Sequence, residues 1–188
     1  MNELIRVAAD VQGFCESRRW RFCFIGGLAL QRWGEPRETI DVDLTLLTGF
    51  GGEDPFIHAL LDRYEGRIDD AAGFARANRV LLLRSGSGVG IDVALGGLPF
   101  EESVIARASR FAFPGHASLL TCSAEDLIVL KAFAARGRDW VDIEGIIVRQ
   151  AGTLDWNHID EQLGPLAALK EEPGILTDLA KRRADLDR

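Results

Sequence analysis

Residues 40–47 read Ile-Asp-Val-Asp-Leu-Thr-Leu-Leu. Acidic and apolar residues alternate, and β-branched residues favour extended backbone, so the segment reads as a β-strand with two unlike faces. A period of two puts Asp41 and Asp43 on one face. Ile40, Val42 and Leu44 then point the other way, toward a core. Two carboxylates held this close repel, and each alone favours its neutral form. A hard divalent cation with oxygen ligands, most simply Mg2+ with Mn2+ as a substitute, relieves the conflict. Solvation of both acids on an edge strand is the plainer alternative. Either way the chain needs a sheet with one buried face. The 188 residues suffice for it: 47% are hydrophobic and 27% charged, which excludes disordered, collagen-like and coiled-coil classes. By area scaling, a chain of this size buries roughly 70% of its unfolded surface.

The elements around this strand alternate between types. Residues 3–17 carry Leu4, Ile5, Ala8, Val11 and Phe14 at helical spacing. Residues 21–25 read as a short buried strand, interrupted by Gly26-Gly27, with a helical turn over 28–33. A helix is expected over 54–65, with Asp54 as N-cap and Pro55 at its first position. Two apolar runs within 79–95 flank Ser85-Gly86-Ser87-Gly88, a hairpin signal. A short helix over 100–107 and a short strand over 117–121 follow. Ser123 caps a helix running to Arg136, ended by Gly137, and the next helix covers 139–150. Residues 155–187 read as helix interrupted by Pro165 and Pro173. The expectation is an α/β (α+β) architecture: a mixed sheet flanked by helices over residues 1–122, then a helical region, 123–188, packed on that core.

Charge and cysteine content bound the partners. Lys plus Arg is 22 against 29 for Asp plus Glu, a formal charge of −7. An acidic chain is a poor general binder of nucleic acid, because phosphate contact relies on clustered cations; Arg18, Arg19 and Arg21 form a local basic group. No stretch is long and apolar enough to span a bilayer, and the N-terminus lacks a secretory pattern. Cys15, Cys23 and Cys122 have no metal-ligand spacing and read as buried reduced thiols of a cytoplasmic protein. His58, His116 and His158 are scattered and read as surface residues. Trp33, Trp140 and Trp156 read as core.

Two further features bear on chemistry. Gly26-Gly27 stands between a strand and a short helix, where glycine lets backbone approach a ligand and a helix end offers N–H groups to an anion; a plain turn is the alternative. Asp92 lies on the second strand of the hairpin, flanked on its own face by Gly90 and Ala94, which leaves room for a ligand. An acid in so apolar a run is paired, liganded or exposed. Lys131 sits among Leu127, Ile128 and Leu130, a pattern that a snorkelling surface lysine also produces. Asp139 and Asp142 share one helix face at i and i+3. They suit either of two roles, orienting a ligand or Lys131, or favouring the helix dipole.

Gly26-Gly27, thirteen intervening residues, Asp41-Val42-Asp43-Leu44 and a later Asp92 resemble the signature of the nucleotidyltransferase superfamily with the DNA polymerase β-like fold. The run Arg37-x-Thr39-x-Asp41-x-Asp43, and the stretch 123–147 with a Lys-bearing helix before an Arg-Asp-x-x-Asp helix, are more narrowly similar to its AbiEii-type toxin branch. The resemblance spans roughly residues 22–150. It implies Mg2+-dependent transfer of a nucleoside monophosphate from an NTP to a hydroxyl acceptor on a tRNA, a protein or a small molecule. It further implies metal held by Asp41, Asp43 and Asp92, with Asp92 helping to deprotonate the acceptor. It implies phosphate held by Gly26 and Gly27 and nucleotide contacts from Arg37, Thr39, Lys131 and Asp139; Arg136 and Arg138 are further phosphate candidates. A toxin-like role implies an antitoxin-like partner. The second glycine replaces a serine found in many relatives, removing one hydroxyl. A non-catalytic nucleotide-binding or partner-docking module on the same fold is the competing reading.

Overall fold

A computed structural model describes residues 2–186. The elements are α1 (Asn2–Ser17), β1 (Phe22–Phe24), α2 (Gly26–Trp33), β2 (Asp41–Leu47), α3 (Asp54–Leu61), β3 (Glu65–Gly66), α4 (Ala71–Asn78), β4 (Val80–Arg84), β5 (Gly90–Gly96), α5 (Pro99–Arg107), β6 (Ser109–Ala112), β7 (Ser118–Thr121), α6 (Ala124–Ala134), α7 (Gly137–Arg149), α8 (Trp156–Leu169) and α9 (Gly174–Leu186). The chain divides into two compact units. The first comprises residues 1–28 and 38–122; the second comprises 29–37 and 123–188.

The first unit is built on a sheet of seven strands among the described residues, in the order β3-β4-β5-β2-β1-β7-β6. β2 runs parallel to β5, and β1 parallel to β7; the other pairs are antiparallel. The acid-bearing strand β2 therefore lies inside the sheet, so Asp41 and Asp43 are not solvated acids on an edge. The alternation in the sequence is realised: Val42, Leu44 and Leu46 are fully buried, and the carboxylates occupy the opposite face, half-buried. Each such aliphatic side chain contributes about 1.5–3 kcal/mol on leaving water, so a register slip of one residue would put the acids in the core and expose three aliphatics. Ile40 is a correction to the sequence reading. It precedes β2 and is 72% exposed, because the strand's pairing starts at Asp41.

Helix α1 lays Leu4, Ile5, Ala8 and Val11 into the core of this unit. Its Gln12 fastens it to β7 by donating to the Ser118 carbonyl at 2.9 Å and accepting from the Leu120 N–H at 2.9 Å. The hairpin expected around Ser85–Gly88 is the β4–β5 pair. Asp54 does not cap α3. The cap position is Glu53, Asp54 is the first helical residue with Pro55 second, and the Asp54 carboxylate pairs with Arg76. Helix α3 also ends at Leu61, and two following residues form the short strand β3. That strand, α4 and β6 were not anticipated. Two to four residues are too few for a periodicity to show, and α4 carries only Ala71 and Ala75 as buried residues.

In the second unit, the Ser123 hydroxyl accepts from the Asp126 N–H at 3.1 Å and caps α6, as its position suggested. Gly137 does not end that helix. Ala135 does so in the left-handed conformation, at φ 55°, and Gly137 begins α7. Pro165 lies within α8 rather than breaking it; Leu163, Leu166 and Ala167 on either side are buried and hold the segment helical. Proline costs most where it removes a needed donor, and Pro173 accordingly stands just outside α9. No described helix is long and apolar enough to cross a membrane.

Candidate active site

In the first unit, the parallel pairing of β2 and β5 sets Asp43 opposite Asp92 and Asp41 opposite Gly90. Side chains on one face of neighbouring strands are adjacent. Three carboxylates separated by up to 51 positions in the chain are thus gathered on one face of two central strands. Gly90 makes the packing possible: a Cβ there would lie 2.1 Å from Asp41 Oδ1. Its neighbour Ile91 is fully buried on the opposite face.

The two consecutive glycines close the other side of the group. They are the first residues of α2 rather than a turn before it. Gly26 has φ +55°, and a Cβ at that position would lie 2.2 Å from Asp43 Oδ2. Only glycine accepts both the backbone conformation and the proximity. The Gly27 N–H, one of the free donors of the helix start, reaches Asp43 Oδ2 at 3.4 Å. A Cβ on Gly27 would lie 2.2 Å from Thr39 Oγ1. The Thr39 hydroxyl therefore stands in the space a residue-27 side chain would fill.

Arg67, which the sequence did not single out, completes the group. Its guanidinium pairs with Asp92 Oδ1 and reaches Asp41 Oδ1 at 3.5 Å. Burial raises the Asp92 carboxyl above its ordinary range; Arg67 draws it partly back and Asp41 adds to the rise. Among the described residues no three His, Cys, Asp or Glu side chains form an assembled metal cage. The donor set nevertheless fits a hard divalent cation. Hard carboxylate oxygens gather there, and a cationic guanidinium already stands between two of them as a stand-in.

The second unit holds a distinct polar cluster. Arg37 donates to Asp142 through Nε to Oδ1 and Nη2 to Oδ2, both at 2.9 Å. Lys131 Nζ donates to Asp142 Oδ2 at 2.6 Å and reaches Asp139 Oδ1 at 3.5 Å. Lys131 is buried and paired, not a snorkelling surface residue. Burial pushes the Asp142 carboxyl upward, but the hydrogen bonds from Arg37 and Lys131 outweigh it and hold the group below its usual range. Asp142 thereby orients two cations, and Asp139 also accepts from the Arg136 N–H at 3.2 Å as part of the α7 start. His158 is a further correction: it bonds the fully buried Asp126 at 2.8 Å instead of lying on the surface. Cys15, Cys23 and Cys122 are buried and form no disulfide, and burial pushes the Cys15 thiol up to about 12.

A glycine pair thus abuts an acid–apolar–acid strand, with a third acid in register on a parallel neighbour. Solved structures agree on the fold. An antigenic nucleotidyltransferase-like protein from Paracoccidioides brasiliensis aligns with a TM-score of 0.53 at 16% identity, over 96% of this chain and 93% of that one. The antibiotic-resistance factor ANT(2'')-Ia aligns with a TM-score of 0.50 at 16% identity, over 98% of this chain and 93% of its own. The search of curated proteins gave no match. The family model for the nucleotidyl transferase AbiEii toxin of type IV toxin–antitoxin systems matches residues 16–164. The chain belongs to the AbiEii nucleotidyltransferase family.

Proposed function

We propose that this nucleotidyltransferase moves a nucleoside monophosphate from an NTP to a hydroxyl acceptor, with a divalent cation, Mg2+ or Mn2+, held by Asp41, Asp43 and Asp92. The observation that carries the reading is the register of β2 and β5, which pairs Asp43 with Asp92 across from Gly26. When bound, the cation would neutralise phosphate charge and stabilise the in-line displacement. The protein's own share is positional. Asp92 takes the proton of the acceptor hydroxyl as the acceptor oxygen attacks the α-phosphorus. The new O–P bond forms as the bond from that phosphorus to the bridging oxygen breaks, and pyrophosphate leaves. Gly26 and Gly27 admit the phosphates to the start of α2. Arg37, Thr39, Lys131 and Asp139 are the proposed nucleotide contacts, with Asp142 holding Arg37 and Lys131 in place.

The acceptor is a hydroxyl on a tRNA end, a protein or a small molecule, and the family supports a toxin role with an antitoxin-like partner, acting in the cytoplasm where NTPs are made. The nucleotidyl transfer is tested by incubating the protein with each α-labelled NTP, a divalent cation and pools of RNA, protein or small hydroxyl compounds. Label transfer by the native protein, lost in Asp43→Asn, is expected. Equal labelling by both proteins would remove Asp43 from the site.

A further inference from the structure

Resting on the metal site proposed above, we propose that Arg67 is a built-in counter-cation: it occupies the carboxylate group when no divalent ion is present and is displaced by that ion. The sheet register dictates this placement. The Arg67 N–H donates to the Leu82 carbonyl at 3.0 Å. Leu82 pairs with Asp92, and Asp92 pairs with Asp43. Residues 67, 82, 92 and 43 thus form one row across four adjacent backbone segments, each about 4.8 Å from the next. An arginine is long enough to pass over Leu82 and reach the Asp92 carboxylate two segments away. Gly90 keeps the approach open, since a Cβ there would lie 2.7 Å from Arg67 Nη1 as well as 2.1 Å from Asp41 Oδ1.

The charge balance gives the contact a consequence. Asp41, Asp43 and Asp92 carry up to three negative charges on one face of two strands, and the Arg67 guanidinium, 23% exposed, meets Asp41 and Asp92 together. A guanidinium remains charged at every accessible pH, so it cannot vacate the site by losing a proton. It must swing aside. A divalent ion seated on Asp41 and Asp92 replaces one charge by two, and the released side chain is then free to meet phosphate oxygens, for which its planar fork is suited. Exchange of one cation for another keeps the acidic face neutralised throughout. It also sets the affinity for free metal below what three unopposed carboxylates would have.

The test is direct binding of Mn2+, followed by its EPR signal and by calorimetry, without nucleotide or acceptor. The native protein, Arg67→Gln, Arg67→Lys and Asp92→Asn are compared, with circular dichroism to establish folding. Arg67→Gln is expected to bind Mn2+ about tenfold more tightly than the native protein, with a correspondingly larger rise in melting temperature on adding the ion. Arg67→Lys, a point charge without the fork, should fall between the two, and serves alone if Arg67→Gln does not fold. Unchanged or weaker Mn2+ binding in the Arg67 variants, with native binding that Asp92→Asn abolishes, would overturn the exchange role and leave the metal site standing. If no protein binds Mn2+ in an Asp92-dependent way, both the site and the exchange role fall.

Discussion

The Gly26 position offers the sharpest test of the site geometry. Gly26→Ala introduces two separable penalties. The first is conformational: φ is +55°, and a left-handed residue with a Cβ costs roughly 1–2 kcal/mol. A loss of chain entropy in the unfolded state offsets about 0.4–1 kcal/mol of that. The second is steric. The new Cβ would lie 2.2 Å from Oδ2, 2.7 Å from Cγ and 2.8 Å from Cβ of Asp43. All three atoms belong to one side chain in an interior strand, so relief requires moving either β2 or the start of α2; such overpacking costs typically 1–3 kcal/mol. The sum is about 2–4 kcal/mol, or a fall in melting temperature of about 4–16 °C at about 2–4 °C per kcal/mol for a chain of this length. The assay is a double-mutant cycle by urea unfolding with Asp43→Gly, which clears all three clashing atoms. In that background Gly26→Ala should retain only the conformational part, giving a coupling of about 1–3 kcal/mol. Equal costs in both backgrounds would mean that Gly26 does not abut Asp43, and the glycine–carboxylate contact would be wrong.

Asp142→Asn should destabilise by about 2–4 kcal/mol, because it leaves buried Lys131 and half-buried Arg37 without their shared carboxylate; an unfolding midpoint within about 0.5 kcal/mol of native stability would refute the two-cation assignment. Since the native Asp142 carboxyl is held below its ordinary range, its stabilisation is present above the unfolded value and is lost as pH falls through the folded one. Native stability should therefore decline on acidification below the usual carboxylate range more steeply than that of Asp142→Asn, as followed by urea midpoints across acidic buffers. Cys15, Cys23 and Cys122 should react with a thiol reagent only after denaturation, given their burial; rapid labelling of the native protein would contradict the packing of α1, β1 and the end of β7. Ser123→Ala should cost about 1 kcal/mol through loss of the α6 cap, read from thermal unfolding.

Local sequence pattern determined much of this protein. The alternation across residues 40–47 specified a strand with acids on one face, because strand periodicity follows from backbone stereochemistry alone. The Ser85–Gly88 signal specified a hairpin, and Ser123 a helix start, since turns and caps are decided within a few residues. The pairing of residues far apart was decided by the tertiary fold. Only the parallel register of β2 and β5 could set Asp43 opposite Asp92. Only the edge position of the segment after β3 could bring Arg67 over Leu82 to two carboxylates, and a two-residue strand carries no readable period. Ile40 is exposed despite its place in the alternation because pairing begins one residue later. His158 reaches Asp126 across 32 positions, a distance over which sequence spacing is silent. Periodicity reports what a backbone does over a turn or a strand; which strands become neighbours depends on the burial of the whole core, and that is where the candidate chemistry of this chain was assembled.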